Sequence, residues 1–461
     1  MNLRTAAAVN AGKLAGRVAR RAGRGGGTAL PGLVAERVDP QLVAHLGRQL
    51  GRGRVLVTGT NGKTTTTRIL AQALQEEGEP YLHNREGSNL MRGLASMLLG
   101  AAGPSGRIAN ASRTLGLFET DEATLPHAAR ALAPTALAFT NLFRDQLDRY
   151  GEVDTVAGFW RKALAASPPG ATLVLNADDP SVAELAVGWQ GPVHWFGLDD
   201  ESFASTAAGA FDARWCSCGG SYVYERRYFA HIGIWRCTGC ERARPTPQTS
   251  ARDVHLALDE ATLREEGIGA VRMPLTGLYN VYNALAAIAL AKVLLVPAQA
   301  VVAGLANVRA AFGRQEVVTL EGRRLRLLLC KNPAGANQVL RLLEAVMHPD
   351  GPALHVAVLL NDRFADGQDV SWIWDVDFGL LATRVATAWA GGERAADMSL
   401  RLKYAGWPRP APLPPGVPPL LDAIVGGTSA GEDVFVIATY TAMLDIRAEL
   451  TARGAAVAFW K

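Results

Sequence analysis

The sequence predicts an α/β protein of two domains, each built on a mostly parallel sheet, with a cysteine-rich insertion in the first. Three observations carry this expectation. From about Arg54 onward, short β-rich runs alternate with helix-like stretches. A glycine turn followed by Lys-Thr closes the first of those runs, and four of the five cysteines crowd into one irregular stretch.

Bulk properties set the limits. A chain of 461 residues exceeds one ordinary core, so two or three domains are expected. Apolar residues at 49% and charged residues at 20% describe a globular chain rather than a disordered one. A net charge of +4 is too small for the concentrated basic face of a nucleic-acid binder. The most basic run, "KLAGRVARRAGRGGG" (Lys13 to Gly27), reads as a helix followed by a glycine hinge. Two readings of it stay open, a solvated arm and a surface for anionic lipid headgroups. It lacks the continuous apolar core of a secretory signal.

The longest apolar stretch, "VYNALAAIALAKVLLVPAQAVVAGLANV", is interrupted by Asn283, Lys292, Pro297 and Gln299. A bilayer span needs about 20 predominantly apolar residues, so two buried helices are expected there and no transmembrane segment. A cytoplasmic location follows as an expectation.

In chain order, "RVLVTGT", "RTLGLFET", "TALAFTN" and "ATLVLNA" predict the strands of the first sheet. The region Asp212 to Pro245 breaks that alternation and reads as an insertion. "RLRLLLC", "LHVAVLL" and "VFVIATY" predict a second, Rossmann-like α/β domain beginning near Arg314. The proline cluster "GWPRPAPLPPGVPPLL" within it is expected to be a surface loop. The resulting division is a basic helical segment over 1–50, a central domain over 51–313 containing the insertion 212–245, and a C-terminal domain over 314–461.

"RVLVTGTNGKTTTTRIL" carries the most chemistry. A strand ending at Thr58, a turn with Gly59, Thr60, Asn61 and Gly62, and a helix from Lys63 form a phosphate loop. Glycines let backbone N–H groups approach phosphate oxygens at a helix N-terminus. Lys63 would reach the β- and γ-phosphates of ATP and Thr64, beside Thr65, would hold Mg²⁺. The strict form of the motif asks for glycine at position 57, where this chain has Val57.

The insertion holds Cys216, Cys218, Cys237 and Cys240. Two close pairs separated by a hairpin-sized stretch can converge on Zn²⁺, and four thiolates leave no open coordination position, so a structural zinc ribbon is expected. The first pair is C-x-C, tighter than the usual knuckle. Cys330, alone at the end of an apolar run, reads as a small buried residue.

The shortened loop "TGTNGKTTTT" resembles that of the Mur ligase family. "FETDEA", "TNLFRDQLDRYGE", "LNADDP", "TGLYNVYNALAA" and "GRQE" follow in the order that family keeps. The resemblance implies ATP-driven activation of a carboxylate as an acyl phosphate. It also implies Mg²⁺ at Glu119, and nucleotide contacts from Asn280 and Arg314. Two departures stand out. Gln146 replaces the metal-binding histidine of the amino-acid-adding members, and Lys162 lies one position off the register of their modified lysine, so it reads as an ordinary surface residue.

Toward the C-terminus, "KNPAGANQVL", "NDRFADGQDVSWIWDVDF" and "TYTAML" resemble the MurT family, the ligase-like subunits of lipid II isoglutaminyl synthases. Gly379 departs from the family's usual glutamate. This resemblance implies amidation of the α-carboxylate of D-glutamate in lipid II, at the inner face of the plasma membrane. The ammonia would come from glutamine through a partner subunit, the glutaminase GatD, in a heterodimer. It further implies that Asp369 completes, across the subunit interface, a Cys–His pair carried by the partner. Trp372 and Trp374 read as core or interface anchors, core first, and Asp362 and Asp366 as residues that either shape the loop or take part in chemistry. Two rivals remain at this point, a stand-alone Mur- or folylpolyglutamate-type amino-acid ligase and a nucleotide-switched zinc-ribbon nucleic-acid module.

Overall fold

The computed structural model describes residues 3–21, 29–84, 88–145, 153–204, 212–309, 314–346, 351, 353–410 and 413–456. Among these residues three sheets form. The largest runs β11-β10-β9-β6-β5-β4-β1-β3-β2. Its strands are β1 (Gly53–Thr58), β2 (Tyr81–His83), β3 (Leu115–Glu119), β4 (Ala136–Phe139), β5 (Thr172–Asn176), β6 (Val193–Leu198), β9 (Thr249–Leu256), β10 (Ala261–Glu265) and β11 (Gly269–Met273). All pairings from β2 to β9 are parallel, and β9, β10 and β11 close the edge antiparallel. Between β6 and β9 the chain leaves the sheet to form the hairpin β7 (Tyr222–Phe229) and β8 (Ile232–Cys237).

Side-chain parity builds two cores on this sheet. Val55, Val57, Leu115, Leu117, Ala136 and Ala138 point to one face, against helices Lys63–Glu77, Leu278–Val293 and Ala298–Asn307. Leu56, Phe118, Leu137 and Phe139, one residue out of step, point to the other, against helices Met91–Ala101, Leu125–Leu132 and Val153–Ala166. The helix Leu278–Val293 is buried at every position from Asn280 to Ala291, as its all-round apolar sequence requires. The long apolar stretch is thus two helices broken at Pro297. No helix among the described residues is long and apolar enough to cross a membrane.

The N-terminal segment is not a solvated arm where it is described. Helix Leu3–Arg21 buries Ala8 and Val9 completely in the second core. Its Gly12 approaches so closely that a Cβ there would meet the Pro31 carbonyl oxygen at 2.8 Å. Lys13 donates to the Ala102 carbonyl. The glycine hinge lies outside the described residues.

The third sheet runs β12-β13-β16-β14-β15, from β12 (Arg314–Leu320), β13 (Arg323–Leu329), β14 (Leu354–Leu359), β15 (Val385–Gly391) and β16 (Asp433–Ala438). Only β12 is antiparallel to its neighbour. Helices Pro333–Val346 and Ala395–Tyr404 cover one face, and Val417–Gly426 and Tyr440–Ala452 the other. The helix Val417–Gly426 corrects part of the proline-loop expectation. "VPPLL" opens helix Val417–Gly426, where prolines in the first turn lose no hydrogen bond that the helix would make.

Candidate active site

The phosphate loop forms between β1 and helix Lys63–Glu77, as its sequence predicts. Gly59 (φ +139°) and Gly62 (φ +90°) adopt backbone that L side chains disfavour. Neither position has room for a Cβ. One on Gly59 would meet Thr140 Oγ1 at 2.0 Å, and one on Gly62 would meet Asn283 Oδ1 at 2.0 Å. The loop is held from the side by the segment after β4. The Thr60 N–H donates to the Asn141 carbonyl at 3.0 Å, and the Asn61 N–H to Asn141 Oδ1 at 2.9 Å. Thr64 and Thr65 are buried in the first turn of the helix.

Lys63 is buried and donates to the Gly59 carbonyl at 2.6 Å, while its Nζ pairs with Glu122 at 2.7 Å. Burial alone would lower the Lys63 pKa. The Glu122, Glu119 and Asp121 carboxylates together more than offset that, Glu122 foremost, so the net shift is upward and the ammonium is kept. Glu119 ends β3 as expected and is buried, with Asn84 bonding its backbone at both N–H (2.8 Å) and carbonyl (2.9 Å). Glu122 was not singled out from the sequence, although it stands in the same "FETDEA".

Asn280 is buried and donates to the Thr276 carbonyl at 2.8 Å; it accepts from Asn283 at 3.0 Å. Arg314 opens β12, and its side chain lies outside the described residues. Its neighbour Gln315 is described. Gln315 sits at φ +64° in a register shift of the β12–β13 pair, donates to the Thr276 carbonyl and Tyr279 hydroxyl at 2.6 Å each, and accepts from the Thr276 N–H at 2.9 Å.

A cleft of about 920 Å³, open on one side, lies between the two large sheets. Asn61, Gly62 and Thr65 form its phosphate end, Phe143, Phe229 and Tyr282 an aromatic wall, and Gln315, Lys331 and Gln338 the side contributed by the C-terminal sheet. The positive-φ glycines, the buried lysine and the acids at the end of β3 fit a nucleotide with its Mg²⁺.

A second cleft, of about 460 Å³, adjoins it and is lined by Arg144, Asp145, Lys331, Asn332, Asp369 and Trp372, among others. Asp369 is exposed there, and its Oδ1 accepts the Ser371 N–H at 2.8 Å. Hydrogen bonding from Ser371 holds the Asp369 carboxyl below its ordinary pKa. Among the described residues, no cysteine or histidine lines this cleft. Asp362 pairs with Arg394 at 2.9 Å and buried Asp366 accepts the Thr441 N–H at 2.8 Å, so both shape the loop. Trp372 is partly buried against the C-terminal core. Trp374 is not a core residue: it is 51% exposed, beside Tyr404 (5.9 Å) and under the Arg401 guanidinium (5.4 Å).

The four cysteine sulfurs Cys216, Cys218, Cys237 and Cys240 lie within 4.8 Å of one another. Cys216–Cys240 is 3.8 Å and Cys218–Cys237 is 3.4 Å. A tetrahedral zinc with bonds of about 2.3 Å has sulfur–sulfur edges of about 3.8 Å. The four thiols therefore fit zinc, the C-x-C pair included. Lys162 is an exposed helix residue near Phe159, Cys330 is buried with its thiol pushed up to about 12, and Gln146 lies outside the described residues.

Comparison with known proteins agrees with this geometry. The Mur ligase middle domain matches residues 57–215, and the MurT ligase C-terminal domain matches 329–443. The chain is 33% identical to the lipid II isoglutaminyl synthase (glutamine-hydrolyzing) subunit MurT of Streptococcus pneumoniae, over 98% of each chain. It is 32% identical to the Staphylococcus aureus subunit of the same name, over 86% of this chain and 87% of that one. Among solved structures, MurF from Acinetobacter baumannii superposes with a TM-score of 0.66 at 18% identity, over 91% of this chain and 80% of that one. A pseudomurein peptide ligase type C from Methanothermus fervidus gives 0.64 at 20% identity, over 88% and 79%. These structures share the fold. The phosphate loop, the acids beside it and the near full-length likeness place this chain in the MurT family of Mur-ligase-fold subunits.

Proposed function

We propose that this chain is the ATP-consuming subunit of a two-subunit amidotransferase of peptidoglycan synthesis. Its substrate is the α-carboxylate of D-glutamate in the lipid II stem peptide. A carboxylate oxygen attacks the γ-phosphorus of ATP and ADP leaves, giving an acyl phosphate. The nitrogen lone pair of ammonia then attacks the acyl carbon, phosphate leaves with the C–O electron pair, and the nitrogen gives up one proton to the departing phosphate, giving D-isoglutamine.

Gly59, Thr60, Asn61, Gly62 and Thr65 would wrap the phosphates, and Lys63 would neutralise the transferred group. Thr64 and Glu119 would hold Mg²⁺, and Asn280 and Arg314 would contact the nucleotide. The four cysteines would hold a structural Zn²⁺. At neutral pH free ammonia is mostly NH₄⁺, which has no lone pair to offer. Glutamine hydrolysis by a GatD glutaminase subunit, bound as a heterodimer, supplies it unprotonated. Asp369 would orient the partner's imidazole and stabilise its charged form.

One observation carries this reading. The Asp369 cleft and the nucleotide cleft share Lys331 as a common wall, so ammonia released beside Asp369 has a short way to the activated carboxylate. The proposed division is 1–50, 51–313 with the ribbon 212–245, and 314–461 as the glutaminase-contacting domain, with the complex working at the cytoplasmic face of the membrane. The test is purification with the GatD subunit and an assay of lipid II amidation. Glutamine- and ATP-dependent product is expected only from the pair. Amino-acid-dependent phosphate release from the isolated chain would point to a stand-alone ligase instead.

A further inference from the structure

The cysteine hairpin does not stand apart from the nucleotide cleft. Strand β7 ends at Phe229, which lines that cleft. Phe229 stacks on Phe143 with ring centroids 6.1 Å apart and meets Tyr282 edge-on at 5.6 Å. Both partners are tied to the phosphate loop. The Phe143 N–H donates to Thr60 Oγ1 at 2.9 Å, and the Thr60 hydroxyl lies 3.1 Å from the Phe143 carbonyl. Tyr282 precedes Asn283, the side chain against Gly62. At the hairpin turn, fully buried His231 packs on Phe143 at 4.8 Å.

A second line leaves the other end of the hairpin. Arg244, just past Cys240, donates its N–H to the Trp235 carbonyl at 2.8 Å and its Nε to Asp178 Oδ1 at 2.6 Å. The Tyr282 hydroxyl donates to the other oxygen of Asp178 at 2.6 Å. Asp178 is 0% exposed, so one buried carboxylate holds a ribbon arginine on one side and a cleft tyrosine on the other. Removing either donor leaves that carboxylate under-bonded, which a low-dielectric interior penalises.

A lone two-stranded hairpin is marginal in water, whereas ligation by four thiolates supplies folding energy outright. The turn end of this hairpin, Phe229 to Ile232, is packed in the first core, so ligation at its cysteine end fixes how Phe229 and Arg244 are held there rather than their burial. We propose that the metal ribbon is a wall of the nucleotide cleft, and that Phe229 and Arg244 are positioning residues through which cysteine ligation sets nucleotide affinity. The inference rests on the nucleotide reading of the cleft. The competing role for such a ribbon, docking another macromolecule, would leave nucleotide affinity untouched.

The test is calorimetric titration of the full chain, in complex with its glutaminase subunit, with Mg²⁺ and a non-hydrolysable ATP analogue. Stripping zinc with a chelator should raise Kd about tenfold, and adding zinc back should restore it, with metal content measured in parallel. Phe229→Leu and Tyr282→Phe keep all four thiolates. Each should raise Kd at least about threefold while zinc content stays at the wild-type value. Arg244→Lys should fall between wild type and Arg244→Gln. If the stripped protein unfolds, the Phe229 and Tyr282 variants decide alone. Unchanged affinity in the metal-loaded Phe229→Leu and Tyr282→Phe proteins overturns the proposal. Absence of nucleotide binding by metal-loaded wild type overturns the nucleotide reading itself, a separate outcome.

Discussion

Asn332 Nδ2 donates to Asn61 Oδ1 at 3.2 Å, so the C-terminal sheet grips the phosphate loop across 271 positions of sequence. Asn332 is 1% exposed, caps its own helix by accepting the Gly335 N–H at 2.8 Å, and lies next to the Lys331–Asp145 ion pair. This amide joins the Lys331–Asp145 pair and the Gln315 contacts in tying the surroundings of the phosphate loop to the C-terminal sheet. Asn332→Ala leaves the Gly335 N–H unmet and the loop ungripped. The KM for ATP should rise about tenfold in a phosphate-release assay, from the loss of roughly 1–2 kcal/mol. An unchanged KM would remove Asn332 from the nucleotide site.

Lys63 pairs with Glu122, 2.7 Å away. A bound triphosphate offers the same ammonium a second anionic partner. Glu122→Gln should lower stability by about 2 kcal/mol without nucleotide, because a buried charge loses its counter-charge but keeps a hydrogen bond. With a saturating ATP analogue and Mg²⁺ the deficit should shrink. Thermal melts with and without the analogue check this, and an equal deficit in both would show that Lys63 does not change partners.

His83 gives the fold a specific acid sensitivity. Burial pushes its imidazole down to about 4 from an ordinary 6.5, with Arg68 adding to the shift. The unfolded chain therefore takes up a proton at His83 at a higher pH than the folded one. Its contribution is complete above pH 6.5 and is lost as pH falls from 6.5 toward 4, amounting to at most about 3 kcal/mol. Urea melts of wild type and His83→Phe at pH 7.5 and 5 should show a smaller pH difference in the variant. Identical pH differences would contradict the assignment.

Trp374 is half exposed in a cluster with Tyr404 and Arg401, on the short helix Ser371–Asp375 that follows Asp369. An aromatic of this kind at an interface rim or centre acts as an anchor. Trp374→Ala should weaken binding of the glutaminase subunit about tenfold while changing the melting free energy of the isolated chain by less than about 0.5 kcal/mol. Wild-type affinity measured by titration of the two subunits would exclude Trp374 from the interface.

The phosphate loop, the strands around it and the cysteine convergence were legible because each depends on local signals: glycine conformation, alternating β-rich runs and ligand spacing. What was missed depends on tertiary juxtaposition. Glu122 meets Lys63 because β1 and β3 pair in parallel, with Val57 opposite Glu119, which carries the following acids over the loop. Three acids within one turn after a strand adjoining the loop were the available signal. Gln315 meets Asn280 because a bulge and left-handed backbone turn it inward, which no periodicity announces. Of the core and interface readings of Trp374, the structure removes the first: the short turn of helix Ser371–Asp375 buries Ile373 and leaves Trp374 out. The basic N-terminal helix was read by its charges, while its opposite stripe of Thr5, Ala8, Val9 and Gly12 is what packs.

The central claim is that Asp369 completes a glutaminase site on another subunit. The direct measurement is amidation of lipid II by the complex carrying Asp369→Asn, with glutamine or with ammonium chloride as nitrogen source. Glutamine-driven product should fall by about 10³-fold or more, as when an imidazole loses its orienting carboxylate. Ammonium-driven product should stay within about twofold of wild type, since Asp369 is exposed and touches no residue of the phosphate loop. Retention of both activities, or equal loss of both, would contradict the account.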